Sequence, residues 1–106
     1  MHELTERRLS RKQVYAGVVV DIEHWQMALP DGRNALREVI LHPGAAAVVP
    51  VDADGQVVLV EQYRPPLERV TLELPAGKLD SPGEEMLTCA QRELEEETGL
   101  RARSWR

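Results

Sequence analysis

Hydrophobic and polar residues follow a pattern that predicts several β-strands and then one helix. β-Branched residues are concentrated over 14–22, which predicts a strand. Apolar stretches at 25–29 and 35–41 flank the turn Pro30-Asp31-Gly32. Because proline presets φ and glycine accepts positive φ, this turn predicts a β-hairpin. Residues 1–12 are polar and show no periodicity, so we interpret them as a mobile arm or the lead-in to the first strand.

The second half of the chain begins after a break at His42-Pro43-Gly44. The continuous apolar run 45–51 predicts a strand buried on both faces, and residues 56–63 beyond a turn predict its partner. A short strand over 70–74 and a loop over 76–83 lead to a helix over 84–98. The apolar stripe of that helix should consist of Leu87, Ala90, Leu94 and Thr98.

Composition and charge narrow the class of protein. The 106 residues suffice for one modest core, and no apolar run approaches the length that spans a bilayer. The N-terminus lacks a secretory signal and Cys89 is the only cysteine, so we expect a cytoplasmic protein without membrane association. The net charge of −5 argues against a nucleic-acid partner, which would call for a basic face.

All of the excess negative charge lies within residues 77–100. That segment holds seven acids and two bases, whereas the rest of the chain holds eleven of each. On a helical wheel Glu93, Glu96 and Glu97 fall within an arc of about 100°, while Glu95 points elsewhere. The carboxylates are either a solvated acidic face, with Arg92 paired to Glu96, or a platform for Mg²⁺, which offsets their repulsion.

The spacing of this segment resembles the Nudix hydrolase family. The family's box is a glycine, five residues, a glutamate, seven residues, then Arg-Glu-apolar-x-Glu-Glu-x-Gly-apolar. Here Gly77 opens the box, seven residues separate Glu84 from Arg92, and the run from Arg92 to Leu100 fits every specified position. Six residues instead of five separate Gly77 from Glu84, which leaves the exact position of Glu84 open.

The resemblance implies specific roles. Glu93 and Glu97 would be the principal Mg²⁺ ligands (with Mn²⁺ as a substitute), and Glu96 would join through a second metal or a metal-bound water. The backbone carbonyl of Ala76 would also face the metal. Arg92 would orient the glutamates by hydrogen bonds, with Glu84 as its partner. Gly77 and Gly99 would serve backbone geometry.

Residues outside the box resemble the ADP-ribose pyrophosphatase branch of that family. The matching pieces are Arg37-Glu38-Val39 before His42-Pro43-Gly44-Ala45, then Val60-Glu61-Gln62-Tyr63-Arg64, and Leu72-Glu73-Leu74-Pro75-Ala76-Gly77. In that branch an N-terminal sheet is exchanged across a homodimer. The resemblance implies that Arg37 and Arg64 contact phosphate or ribose; the alternative is that they are ordinary exposed charges. Glu73 alternates with Leu72 and Leu74, so it points away from their side of the strand and either helps at the site or faces water. Trp25 serves the core or a dimer contact, with stacking on an adenine as the alternative.

Together these features predict an α+β protein, with an N-terminal antiparallel sheet over 1–42 and the first part of a Nudix α/β/α sandwich over 43–106. The implied function is Mg²⁺-dependent hydrolysis of ADP-ribose or a related nucleoside diphosphate sugar. The alternative is a non-catalytic Nudix-like module that binds a nucleotide or a protein. Because family members continue beyond the box, often with a glutamate that acts as general base, we expect the chain to be part of a longer enzyme.

Overall fold

The computed structural model describes residues 3–106, so the part of the proposed N-terminal arm at residues 1–2 lies outside the described residues. Within residues 3–106, seven strands and one α-helix follow one another, and a 3-10 turn at Pro65–Leu67 separates the fifth strand from the sixth. The elements are β1 (Arg7–Ala16), β2 (Asp21–Ala28), β3 (Asn34–Leu41), β4 (Ala45–Ala47), β5 (Val60–Arg64), β6 (Arg69–Glu73), β7 (Ala76–Lys78) and α1 (Met86–Thr98). The chain divides into two compact units, before and after the peptide between His42 and Pro43.

The first unit is an antiparallel sheet with strand order β1-β2-β3. The predicted strand over 14–22 is wrong as a continuous strand, because the chain turns between Gly17 and Val20. Residues 14–16 end β1, which begins at Arg7, and residues 21–22 begin β2. A Cβ at Gly17 would lie 2.5 Å from the Val20 carbonyl oxygen, so the turn requires glycine. β1 is a charged edge strand, and charge on an edge strand discourages pairing with other chains.

The hairpin between β2 and β3 confirms the predicted turn. Gly32 has a φ of 90° and donates its N–H to the carbonyl of Leu29 at 3.0 Å. The Leu29 N–H in turn donates to the carbonyl of Arg33 at 2.7 Å. The strands therefore pair without irregularity from Asp21 opposite Leu41 to Ala28 opposite Asn34.

The second unit builds its core where α1 packs against β4 and β7. The buried apolar side chains are Ala46, Val48, Cys89, Ala90 and Leu94, with Leu79 and Trp105 packed against them. The Val48 N–H donates to the Pro75 carbonyl at 2.8 Å, which continues the β4–β7 pairing by one residue. The predicted loop over 76–83 is therefore wrong in its first three residues, which form β7.

Two strand predictions for the second unit are also wrong. The apolar run 45–51 is a strand only at Ala45–Ala47, and Val49 and Val51 are more than 60% exposed. Its predicted partner over 56–63 does not form a ladder with it: an isolated bridge pairs Val51 with Val57, and the Val58 N–H donates to the Pro50 carbonyl at 2.9 Å. Residues 60–64 pair instead with β6, because the turn at 65–68 brings β6 back antiparallel to β5.

Helix α1 begins at Met86 rather than at Glu84, with Glu85 as its N-cap residue. The predicted apolar stripe is correct at Ala90 and Leu94 but not at Leu87, which is 48% exposed. Gly99 ends the helix with a φ of 75°, and its N–H donates to the carbonyl of Glu95 at 2.8 Å. This confirms the prediction that the helix ends at residue 98 and that Gly99 serves the backbone geometry there. Among residues 3–106, no helix has both the length and the apolar character needed to cross a membrane.

Candidate active site

Arg92 is the centre of a cluster of charged side chains on α1 and the preceding loop. Its Nη1 donates to Glu93 Oε1 at 2.8 Å, and its Nη2 donates to Glu84 Oε1 at 3.0 Å. Asp80 Oδ2 lies 3.1 Å from Nε as an ion pair without hydrogen-bond alignment, and Glu96 is 3.7 Å from Nη1. These acids raise the pKa of Arg92 further above its already high value, chiefly through the hydrogen bond to Glu84.

Glu84 lies just before helix α1, and its carboxylate accepts hydrogen bonds from both the loop and the helix. Its Oε1 accepts the backbone N–H of Asp80 at 2.9 Å as well as the Arg92 contact. The hydrogen bond from the Asp80 backbone, followed by the Arg92 guanidinium, lowers the pKa of Glu84. The ion pair with Arg92 that the sequence led us to expect is thus present, despite the additional loop residue.

The glycine at position 77 provides space for the carboxylate of Glu93. An added Cβ at Gly77 would lie 2.1 Å from Glu93 Cδ and 2.2 and 2.4 Å from its oxygens. Glu93 is 9% exposed, and among residues 3–106 it is the one charged residue that is buried. The backbone at Gly77 does not have positive φ, so the glycine is required by close approach and not by its conformation. Ala76, the proposed carbonyl ligand, is the preceding residue and pairs with Ala47.

Glu96 and Glu97 differ in their surroundings. The Glu96 side chain is 58% exposed, whereas Glu97 is half-buried, and its buried Oε2 has no hydrogen-bond partner in the described range 3–106. Within residues 3–106, no group of three or more His, Cys, Asp or Glu side chains has metal-ligating geometry. Mg²⁺ is usually bound by only one or two carboxylates, with water and substrate phosphate completing its shell. The carboxylates of Glu93 and Glu97 fit that type of site.

Arg64 lies at the end of β5 and is held by Glu73 of β6. Its Nε donates to Glu73 Oε2 at 2.7 Å, and its Nη2 donates to Glu73 Oε1. The Thr71 hydroxyl donates to the same Oε2. These hydrogen bonds, led by that of Arg64, lower the pKa of Glu73 from 4.5 to about 2. The pKa of Arg64 is raised, chiefly by its hydrogen bond to Glu73 and to a smaller extent by the negative charge of Glu97.

The two faces of the β5–β6 pair differ in burial, and large apolar side chains lie on the exposed face. Gln62, Thr71 and Glu73 on one face are half-buried. Tyr63, Val70 and Leu72 on the other face are each more than 55% exposed. Glu73 therefore points away from the side of Leu72, as strand alternation predicts, whereas the contact of Thr71 with Glu73 was not predicted. The spacing of two residues between Thr71 and Glu73, which places them on one face of a strand, was the available signal.

Arg37 belongs to the first unit and already has a carboxylate partner. Its Nε and Nη2 donate to the two oxygens of Glu6 at 3.2 and 3.0 Å, which raises the pKa of Arg37. Trp25 on the neighbouring strand is half-buried, with the Arg8 and Arg11 guanidinium groups 4.8 and 5.7 Å from its ring centre. The indole N–H donates to Glu23 at 2.7 Å.

Comparison with known proteins identifies the family. The model of the NUDIX domain matches residues 41–106, more than half of the chain, so the chain belongs to the Nudix family. Members of this family generally use divalent metal ions. A solved crystal structure of an ADP compounds hydrolase superposes with a TM-score of 0.75 at 26% identity, covering 96% of this chain and 56% of the other. The α+β fold class is thereby confirmed as a partial Nudix fold.

Curated relatives point to one branch of the family. The ADP-ribose pyrophosphatase of Bacillus subtilis (strain 168) is 45% identical over 97% of this chain, and that of Mycobacterium tuberculosis is 40% identical over 92%. The methanol dehydrogenase activator of Bacillus methanolicus is 45% identical over 89%. This chain covers 55%, 47% and 50% of those proteins, so it spans about half the length of its curated relatives.

Proposed function

We propose that this chain belongs to an enzyme that hydrolyses the diphosphate of ADP-ribose or a related nucleoside diphosphate sugar. Water adds across the P–O–P linkage, which gives a nucleoside monophosphate and a sugar phosphate. The similarity to two ADP-ribose pyrophosphatases supports the substrate class. The observation that carries the proposal is the buried Oε2 of Glu97, which has no hydrogen-bond partner among residues 3–106 and lies one helical turn after the buried Glu93.

The metal proposed for this site is Mg²⁺, with Mn²⁺ as a substitute. Glu93 and Glu97 would hold it, with Glu96 in an outer position and the Ala76 carbonyl as a further oxygen donor. When bound, the ion would neutralise the diphosphate and lower the pKa of a water molecule. Arg92 and Glu84 would fix the position of Glu93 through the contacts described above.

Arg64 is the proposed phosphate-binding residue of the second unit. Its guanidinium is oriented by Glu73, whose pKa of about 2 keeps it ionised throughout the neutral range. Glu73 therefore acts on the substrate through Arg64 and does not transfer a proton. Arg37 is the proposed second phosphate or ribose contact, and its pairing with Glu6 would have to be exchanged for substrate.

A homodimer is the proposed assembly, in a cytoplasmic setting that suits the free, buried Cys89. Among residues 3–42 no residue is fully buried, so the three-stranded sheet has no core of its own. Tyr15, Ile22 and Ile40 lie opposite one another across its three strands, and Tyr15 and Ile40 are 55% and 64% exposed. Such an apolar row would be covered by a second copy. Light scattering would measure the mass, and Ile40→Glu should shift it to that of a monomer.

The second proposal is a non-catalytic module that binds a nucleotide or a protein. It is favoured by the 45% identity to a protein named for activating a dehydrogenase. The two proposals differ in product release. The purified chain would be assayed with Mg²⁺ on ADP-ribose, other nucleotide sugars and NADH, with Glu97→Gln as the test variant. Glu95→Gln is the matched control, because Glu95 is exposed and pairs with Arg101. Loss of activity in Glu97→Gln alone supports the hydrolase, and equal release by both variants contradicts it.

A further inference from the structure

Asp80 lies in the loop between β7 and α1, the loop that has one residue more than the usual Nudix spacing. Its side chain is 66% exposed, yet its Oδ2 is 3.1 Å from Arg92 Nε. Its backbone N–H donates to Glu84 Oε1, which also accepts from Arg92 Nη2. Asp80 thus contacts both members of the Arg92–Glu84 pair, one through its side chain and one through its backbone.

The two ends of the Arg92 guanidinium face carboxylates from different elements. The Nε and Nη2 end faces the loop, where Asp80 and Glu84 supply two carboxylates. The Nη1 end faces the helix, where Glu93 is 2.8 Å and Glu96 is 3.7 Å away. Asp80 and Glu84 partly offset the positive charge of Arg92. That charge therefore competes less with a metal cation for the carboxylate oxygens of the helix glutamates.

This competition determines how well the helix glutamates can bind a cation. An arginine fully paired with Glu93 would reduce the negative potential that a metal requires. Residues that hold a metal ligand in place without touching the metal typically alter its affinity by about 10- to 100-fold when they are changed. We propose that Asp80 is a positioning residue, which retains the Arg92 guanidinium at the loop so that Glu93 remains available to a divalent cation. The proposal rests on the proposed function of Glu93 as a metal ligand.

The test compares Asp80→Asn with Asp54→Asn in the full chain. Both variants lose one negative charge with little change in shape, but Asp54 lies in the turn between 52 and 55, away from Arg92. Mn²⁺ affinity would be measured by electron paramagnetic resonance, and the side-chain Nε–H signal of Arg92 would be recorded by ¹⁵N NMR without metal. We expect Asp80→Asn to weaken Mn²⁺ binding about tenfold and to shift the Arg92 signal, with neither effect in Asp54→Asn.

Each result has a distinct meaning. An unshifted Arg92 signal in Asp80→Asn would overturn the positioning role whatever the metal does. A shifted signal with unchanged Mn²⁺ affinity, or equal weakening by Asp54→Asn, would overturn the link to the metal. If the unmodified chain binds no Mn²⁺ although Asp80→Asn shifts the Arg92 signal, the proposed function fails and Asp80 retains only the contact with Arg92.

Discussion

Replacement of Gly77 by alanine tests how the site holds Glu93. The new Cβ would lie 2.1 Å from Glu93 Cδ, whereas ordinary contacts begin near 3.4 Å, so the carboxylate must retreat by more than 1 Å. The backbone tolerates alanine because φ at Gly77 is not positive. A displacement of this size at a catalytic group costs roughly 100-fold in rate. We therefore expect Gly77→Ala to lower kcat on ADP-ribose about 100-fold, with a small change in melting temperature.

A double-mutant cycle separates this cause from general damage. If Gly77→Ala acts by displacing the carboxylate of Glu93, it should have little further effect once Glu93→Gln has already disabled that group. Rates and metal affinities would be measured for both single variants and the double variant. Full activity in Gly77→Ala, or an undiminished additional loss in the Glu93→Gln background, would refute the assignment of Gly77 as the space for Glu93.

Two further predictions concern stability. Leu94 is 2% exposed, so Leu94→Ala should lower the free energy of unfolding by about 3 kcal/mol. Leu87 is 48% exposed, so Leu87→Ala should lower it by only about 0.5 kcal/mol. Equal losses of the two variants in urea unfolding would contradict the placement of Leu94 in the core. The depressed pKa of Glu73 means that its contribution to stability is complete above about pH 4.5 and is lost as pH falls through about 2. Glu73→Gln should therefore flatten the pH dependence of unfolding in that window, and an unchanged slope would show that the Arg64–Glu73 pair does not stabilise the fold.

The sequence predicted those elements whose signals are local. The β2–β3 hairpin follows from a turn whose glycine has positive φ, and the end of α1 follows from Gly99. β1 was missed because a polar edge strand has no hydrophobic period, and the valines at 18–20 suggested a strand where the chain turns. The apolar run 45–51 predicts a strand buried on both faces, but Val49 and Val51 are exposed. The burial of a strand's second face depends on what packs against it, which the run itself does not specify.

In the candidate site, too, the sequence predicted those contacts that follow from local spacing. The spacing of Glu84 and Arg92 was enough to anticipate their ion pair, since both positions belong to one fixed pattern. Asp80 was missed because its contact with Arg92 depends on the path of the loop, which the sequence does not specify. Thr71 was missed because its role depends on the orientation of Glu73 toward Arg64. The burial that distinguishes Glu97 from Glu96 likewise arises from tertiary packing.

The most direct test of the central claim is metal binding at the acidic helix. Mn²⁺ binding would be measured by electron paramagnetic resonance for the unmodified chain, Glu97→Gln and Glu95→Gln, each with and without a non-hydrolysable methylene analogue of ADP-ribose. We predict that the analogue strengthens Mn²⁺ binding and that Glu97→Gln abolishes this effect, while Glu95→Gln retains it. Equal binding by the two variants would show that the helix is a solvated acidic face and not a metal platform.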